Sequence, residues 1–87
     1  MRINLTELEQ YTEELNKKYN VKASITEQGK HVAIFPPQGG MWITEWYLHI
    51  DNKKIPVGND YNATSIEEIK QNIELAIKGD KLWKGDY

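Results

Sequence analysis

Two stretches of this chain place their apolar residues at helical spacing, and the segment between them alternates as strands do. Near the start, Leu5, Leu8, Tyr11, Leu15 and Tyr19 share one face, while glutamates and lysines take the other. Asn4 stands where a cap is needed, Glu7 three residues on can return the bond, and Ile3 and Leu8 occupy the hydrophobic-staple positions. Asn20 tolerates the left-handed conformation that stops a helix. Toward the end, Ile66, Ile69, Ile73, Ala76 and Ile77 form a second stripe. Ser65 with Glu68 is a capping box that opens it, and Gly79 is the expected stop. Residues 80–87 carry no period and read as an irregular tail.

Between the helices, Val21, Ala23 and Ile25 alternate with Lys22, Ser24 and Thr26, which predicts a half-buried strand. Gln28, Gly29 and Lys30 read as a hairpin turn, and residues 31–35 as a second strand ended by Pro36 and Pro37. Gly39 and Gly40 then link to the longest strand, residues 41–51. Asn52, Lys53 and Lys54 turn the chain into a short fourth strand at 55–57. Pro56, which lacks an N–H donor, sends that strand to a sheet edge. Residues 58–63 are loop. The expectation is a single α+β domain over residues 1–87: helix, four-stranded antiparallel sheet, helix, with both helices on one sheet face.

The long strand departs from the wet-face, dry-face rule for antiparallel sheets. Trp42, Thr44, Trp46, Leu48 and Ile50 point one way, and Met41, Ile43, Glu45, Tyr47 and His49 the other, so neither set is polar throughout. The pattern predicts Trp46, Leu48 and Ile50 inside and Met41, Ile43, Tyr47 and His49 on the open face. Either that face is covered by the tail or by a second copy of the chain, or it is an aromatic interaction surface. The tail adds Trp83 and Tyr87. Met41, Ile43, Tyr47, His49, Trp83 and Tyr87 are therefore the candidate partner-binding residues.

Charge narrows the choice of partner. The net charge of −2 lacks the basic excess of a strong nucleic-acid binder. The first fifteen residues are acidic and the next fifteen basic, which makes the surface bipolar. There is no cysteine, so neither a disulfide nor a thiolate metal site is available. No apolar signal core or membrane-length stretch is present, and the expected location is the cytoplasm.

Catalytic chemistry finds no pattern to rest on. His31, His49, Glu45 and Asp51 lack metal-ligand spacing, and no serine or threonine adjoins a histidine in sequence. Gly39 and Gly40 are not followed by the residues of a phosphate loop. No cofactor and no enzymatic activity are expected.

The opening Met1-Arg2-Ile3-Asn4 and residues 16–24, Asn-Lys-Lys-Tyr-Asn-Val-Lys-Ala-Ser, resemble the corresponding region of small prophage anti-CRISPR inhibitors of the type II effector nuclease. The resemblance covers about a quarter of the chain. It implies a mobile-element protein that binds and blocks a host protein. Acidic side chains occupy the nuclease's DNA-recognition surface in that family. Here the middle of the chain and the final helix carry mixed charges, so no functional residue transfers.

Two further function classes remain beside this reading. The order of a helix, three main strands and a helix is that of the double-stranded-RNA-binding domain. An open sheet face also suits a self-associating structural module, including a homodimer.

Overall fold

A computed structural model describes residues 3–33 and 39–79. Helix α1, Leu5–Tyr19, begins where the sequence places it, because the Asn4 side chain accepts from the backbone N–H groups of Thr6 and Glu7. Glu7 does not complete a capping box. Its carboxylate instead receives Lys70 of the second helix at 2.8 Å. Asn20 ends α1 in the left-handed conformation, at φ 54°.

The chain then enters strand β1, Ser24–Ala33, three residues later than alternation suggested. The cause lies at Ala23, whose backbone N–H and C=O are both taken by the Asn16 side chain, at 2.8 and 2.9 Å. Satisfied from α1, the backbone of that residue needs no strand neighbour.

Strand β2, Gly40–Ile50, pairs antiparallel with β1 along its whole length, from Ser24 opposite His49 to Ala33 opposite Gly40. The expected turn at residues 28–30 does not form, and the first two expected strands are one. A turn at Gly29 would leave most of the long β2 without a partner, whereas a continuous β1 supplies ten cross-strand pairs. Gly29 sits inside the strand without positive φ, and the Trp42 ring lies beside the space its side chain would fill. Among the described residues the sheet therefore has three strands and not the expected four.

A two-residue turn follows, Asp51 and Asn52, both left-handed at φ 53° and 63°. This is the primed geometry that matches strand twist, and it allows Lys53 to pair with Ile50. Strand β3, Lys53–Asn59, runs back along β2, and the sheet order is β1-β2-β3. Pro56 thus lies on an edge strand, as its missing donor requires.

Helix α2, Ile66–Lys78, has the full capping box of Ser65 and Glu68 and stops at Gly79, φ 74°. Leu8 and Leu15 of α1 and Ile69 and Ile73 of α2 join Ile25, Trp46, Leu48, Ile50 and Val57 in one buried cluster. Both helices therefore cover the sheet face that carries Trp46, Leu48 and Ile50. Each fully buried aliphatic side chain contributes roughly 1.5–3 kcal/mol, so this cluster is the main source of stability.

Thr12, also buried, bonds its hydroxyl back to the Leu8 carbonyl at 2.8 Å. The helices are tied to each other by Lys70–Glu7 and by Glu74, which receives both Lys18 and the Tyr19 hydroxyl. No helix among the described residues is long and apolar enough to cross a membrane.

The layers differ in length. Fifteen and thirteen helical residues span about 22 and 20 Å, whereas eleven strand residues reach about 36 Å. Among the described residues, strand β3 pairs only with residues 45–50 of β2. Residues 29–33 and 40–44 thus continue as a two-stranded ribbon beyond the helices, and the molecule measures 48 × 25 × 20 Å.

Candidate functional site

The register places the residues of the open sheet face in rows. Ser24, His49 and Lys54 form one row across the three strands; Thr26, Tyr47 and Pro56 form the next; Gln28, Glu45 and Asn59 follow. Along the ribbon come Lys30 with Ile43, then Val32 with Met41. This face is polar over the three-stranded part and apolar along the ribbon.

Its centre is Glu45, 1% exposed. The carboxylate accepts from the Tyr47 hydroxyl, from Lys30 Nζ at 3.3 Å and from Asn59 Nδ2 at 3.2 Å. A buried carboxylate needs such donors, and among the described residues no buried side-chain polar atom lacks a partner. Burial and then the Glu45 carboxylate push the Tyr47 hydroxyl up to a pKa of about 12. Above the Tyr47 ring, Lys54 Nζ stands 4.4 Å from the centroid and donates to Gln28 Oε1 at 2.8 Å, bridging β3 to β1.

Folding brings together one pair that sequence proximity did not. Thr26 Oγ1 and His49 Nε2 are hydrogen-bonded at 2.7 Å. Each of these two side chains is half-buried. A nucleophilic dyad also requires a group to orient the second ring nitrogen and donors for an oxyanion. The hydrogen bonds of the described residues supply no carboxylate to His49. Nor does any group of three potential metal ligands occur among the described residues.

The candidate partner-binding residues fare differently from one another. Met41, Ile43, Tyr47 and His49 do share the face opposite the helices. Met41 is exposed at 42%, but Ile43 is only 6% exposed, and Tyr47 and His49 are half-buried and occupied by Glu45, Lys54 and Thr26. An open row of four accessible side chains is therefore not what these positions form. Trp83 and Tyr87 lie outside the described residues, as does the expected irregular tail.

The most accessible large apolar side chain among the described residues is Trp42, 74% exposed. Period-two alternation assigns it to the helix side, which is correct, since it lies on the same face as Trp46. Reasoning by alternation alone missed it because the helix layer ends before the strand does. Comparing helix and strand lengths was the available signal. Trp42 packs edge-on against His31 of β1, ring centroids 5.2 Å apart, and Met41 occupies the opposite face of the same ribbon.

Glu45 could have been suspected from the sequence as a lone carboxylate amid Trp42, Ile43, Trp46 and Tyr47. Its partner Asn59, fourteen residues away, could not.

No protein-family model matches the chain, and neither a curated protein nor a solved structure shows significant similarity to it.

Proposed function

We propose that this chain is a non-enzymatic protein-binding module that grips its partner with the β1–β2 ribbon. The observation that carries the reading is Trp42, three-quarters exposed on a ribbon that extends past the helices. Tryptophan offers a large contact area at low entropic cost and is enriched among interface anchors. Met41 and the His31 ring extend the surface to both ribbon faces. The resemblance of residues 1–4 and 16–24 to anti-CRISPR inhibitors supports a narrower version: a phage or mobile-element inhibitor that binds and blocks a host defence protein such as a CRISPR effector nuclease.

The element order α1-β1-β2-β3-α2 supports nucleic-acid binding as the second reading, since it is the order of the double-stranded-RNA-binding domain. Charge opposes it. Helix α2 opens with Glu67 and Glu68, and Lys18, Lys30 and Lys70 are engaged with carboxylates.

Binding of the immobilised chain to purified type II effector nuclease, and capture from a bacterial lysate, test the two versions with Trp42→Ala as matched control. Loss of a buried aromatic anchor costs 2 kcal/mol or more, so the variant is expected to bind roughly thirtyfold more weakly. Failure to bind the nuclease removes the narrower version. Equal capture by Trp42→Ala, with loss in Lys17→Ala/Lys18→Ala and steep weakening in salt, replaces the protein-binding reading with the nucleic-acid one.

A further inference from the structure

We infer that the end of the sheet at the Asp51–Asn52 turn is a binding site for a phosphoryl group carried on a small, nucleotide-sized ligand. A depression of about 580 Å3 opens there, at the far end of the sheet from Trp42. Its floor is the cross-strand row of Ser24, His49 and Lys54, and Lys22, Asn52 and Lys53 also line it. Asp51 is the one carboxylate in the lining, against three lysines, in a chain whose net charge is −2.

These lysines keep their charge available. The ion pairs of the described residues use Lys18, Lys30 and Lys70, and Lys22, Lys53 and Lys54 enter none of them. The Lys54 ammonium lies over the Tyr47 ring and donates to Gln28, and His49 Nε2 is bonded to Thr26. Both are thus turned along the open face away from the turn, and Lys22 and Lys53 are the cations left to the depression. A phosphoryl group meets ammonium point charges there, with the Ser24 hydroxyl and the Asn52 amide as neutral donors.

The volume lies within the range of small-molecule sites. A nucleic-acid strand would need a longer basic track, and the next rows of this face lead instead to the Glu45 carboxylate. The site is independent of the ribbon and does not rest on the protein-binding reading.

The test is a titration of the isotope-labelled full chain followed by amide resonances, with sodium phosphate, metal-free ATP and a short RNA duplex as separate probes. Sodium chloride at matched ionic strength is the blank. Saturable shifts confined to Ser24, His49, Asn52 and Lys53 are expected, with ATP binding more tightly than phosphate. Lys22→Ala/Lys53→Ala should weaken ATP roughly tenfold, each exposed cation accounting for a few-fold. Lys17→Ala/Lys78→Ala should leave it unchanged, and unperturbed core resonances in both variants establish that they fold. Absence of saturation, shifts spread over all lysine-bearing surfaces, or an unchanged affinity in the first double variant overturns the site. Tighter binding of the duplex than of ATP overturns the small-ligand assignment.

Discussion

The side-chain amide of Asn59 donates to the buried carboxylate of Glu45 at 3.2 Å, and it does so because β3 carries one residue more than β2 between the two strands' matched pairs. Glu45 opposes Asn59 and Tyr47 opposes Pro56, which is two steps on β2 and three on β3. The bulge at Val57 and Gly58 turns both toward the helices opposite Trp46, so that Asn59 returns to the open face. In an unbulged strand Asn59 would fall on the helix side. One inserted residue thus supplies both a buried valine to the core and a donor to the carboxylate.

Asn59 also fixes the β3–α2 connection. Its side chain accepts from the Asn62 N–H at 2.8 Å, and its backbone exchanges hydrogen bonds with Thr64. Asn59→Ala leaves the Glu45 carboxylate short of a buried donor and frees the loop. A loss of about 2 kcal/mol is expected in urea unfolding, within the range for a buried group left unsatisfied. A change below the error of the fit would mean that the network contributes nothing to stability.

Two glycines on the sheet should respond oppositely to alanine. A Cβ on Gly58 would come within 2.7 Å of Ile69 Cγ1 and 2.9 Å of Thr64 Cγ2, since α2 crosses the strand there. Gly58→Ala is expected to cost about 1–3 kcal/mol through overpacking. At Gly29 the nearest atom is Trp42 Cε3 at 4.0 Å, and the residue has strand geometry. Gly29→Ala should be neutral or stabilising by up to about 1 kcal/mol. A destabilised Gly29→Ala would restore the turn that the sequence suggested at this position.

Tyr47 gives a pH dependence at the alkaline end. Its pKa is raised from 10.0 to about 12, by burial first and by the Glu45 carboxylate second. A raised folded pKa contributes stability that is complete below pH 10 and disappears as pH climbs toward 12. Phenolate absorbance should show a late component at about 12 that Tyr47→Phe removes, while Tyr11, also raised by burial, titrates in both proteins. Glu45→Gln should bring the midpoint down only partway, because burial remains. A full return to 10.0 would assign the shift to the carboxylate instead.

Glu74 gives one at the acid end. Hydrogen bonds from Tyr19 and then Lys18 hold its carboxyl below the ordinary 4.5. A lowered folded pKa contributes stability above 4.5 that is lost as pH falls through the folded value. The parent should therefore exceed Glu74→Gln in stability at neutral pH, and the two curves should converge in acid. Added salt should shrink the neutral-pH difference, since the pair with Lys18 is exposed. Parallel curves across the whole range would show that the carboxylate charge is irrelevant to the α1–α2 contact.

Both helices were legible in the sequence from cap to cap, because Asn4, Asn20, Ser65 and Gly79 act on peptide groups within four residues of themselves. The face that Trp46, Leu48 and Ile50 bury was legible too, since period two leaves only two choices and the helices need an apolar partner. Pro56 on an edge follows from one missing donor. All of these are local facts of backbone geometry or side-chain polarity.

The tertiary structure decided whatever depended on a distant partner. Gly29 is compatible with a turn or a strand, and only the length of β2 resolves it in favour of the strand. The start of β1 depended on Asn16 reaching Ala23 from the helix before it. Glu45 could be buried only once Asn59, Lys30 and Tyr47 had converged on it, and that convergence required an unsignalled bulge at Val57. Trp42 carries the same alternation phase as Trp46, yet one is 74% exposed and the other 3%. The difference is that a helix gains 1.5 Å per residue and a strand more than twice that, so two helices of this length run out before the strand beneath them does.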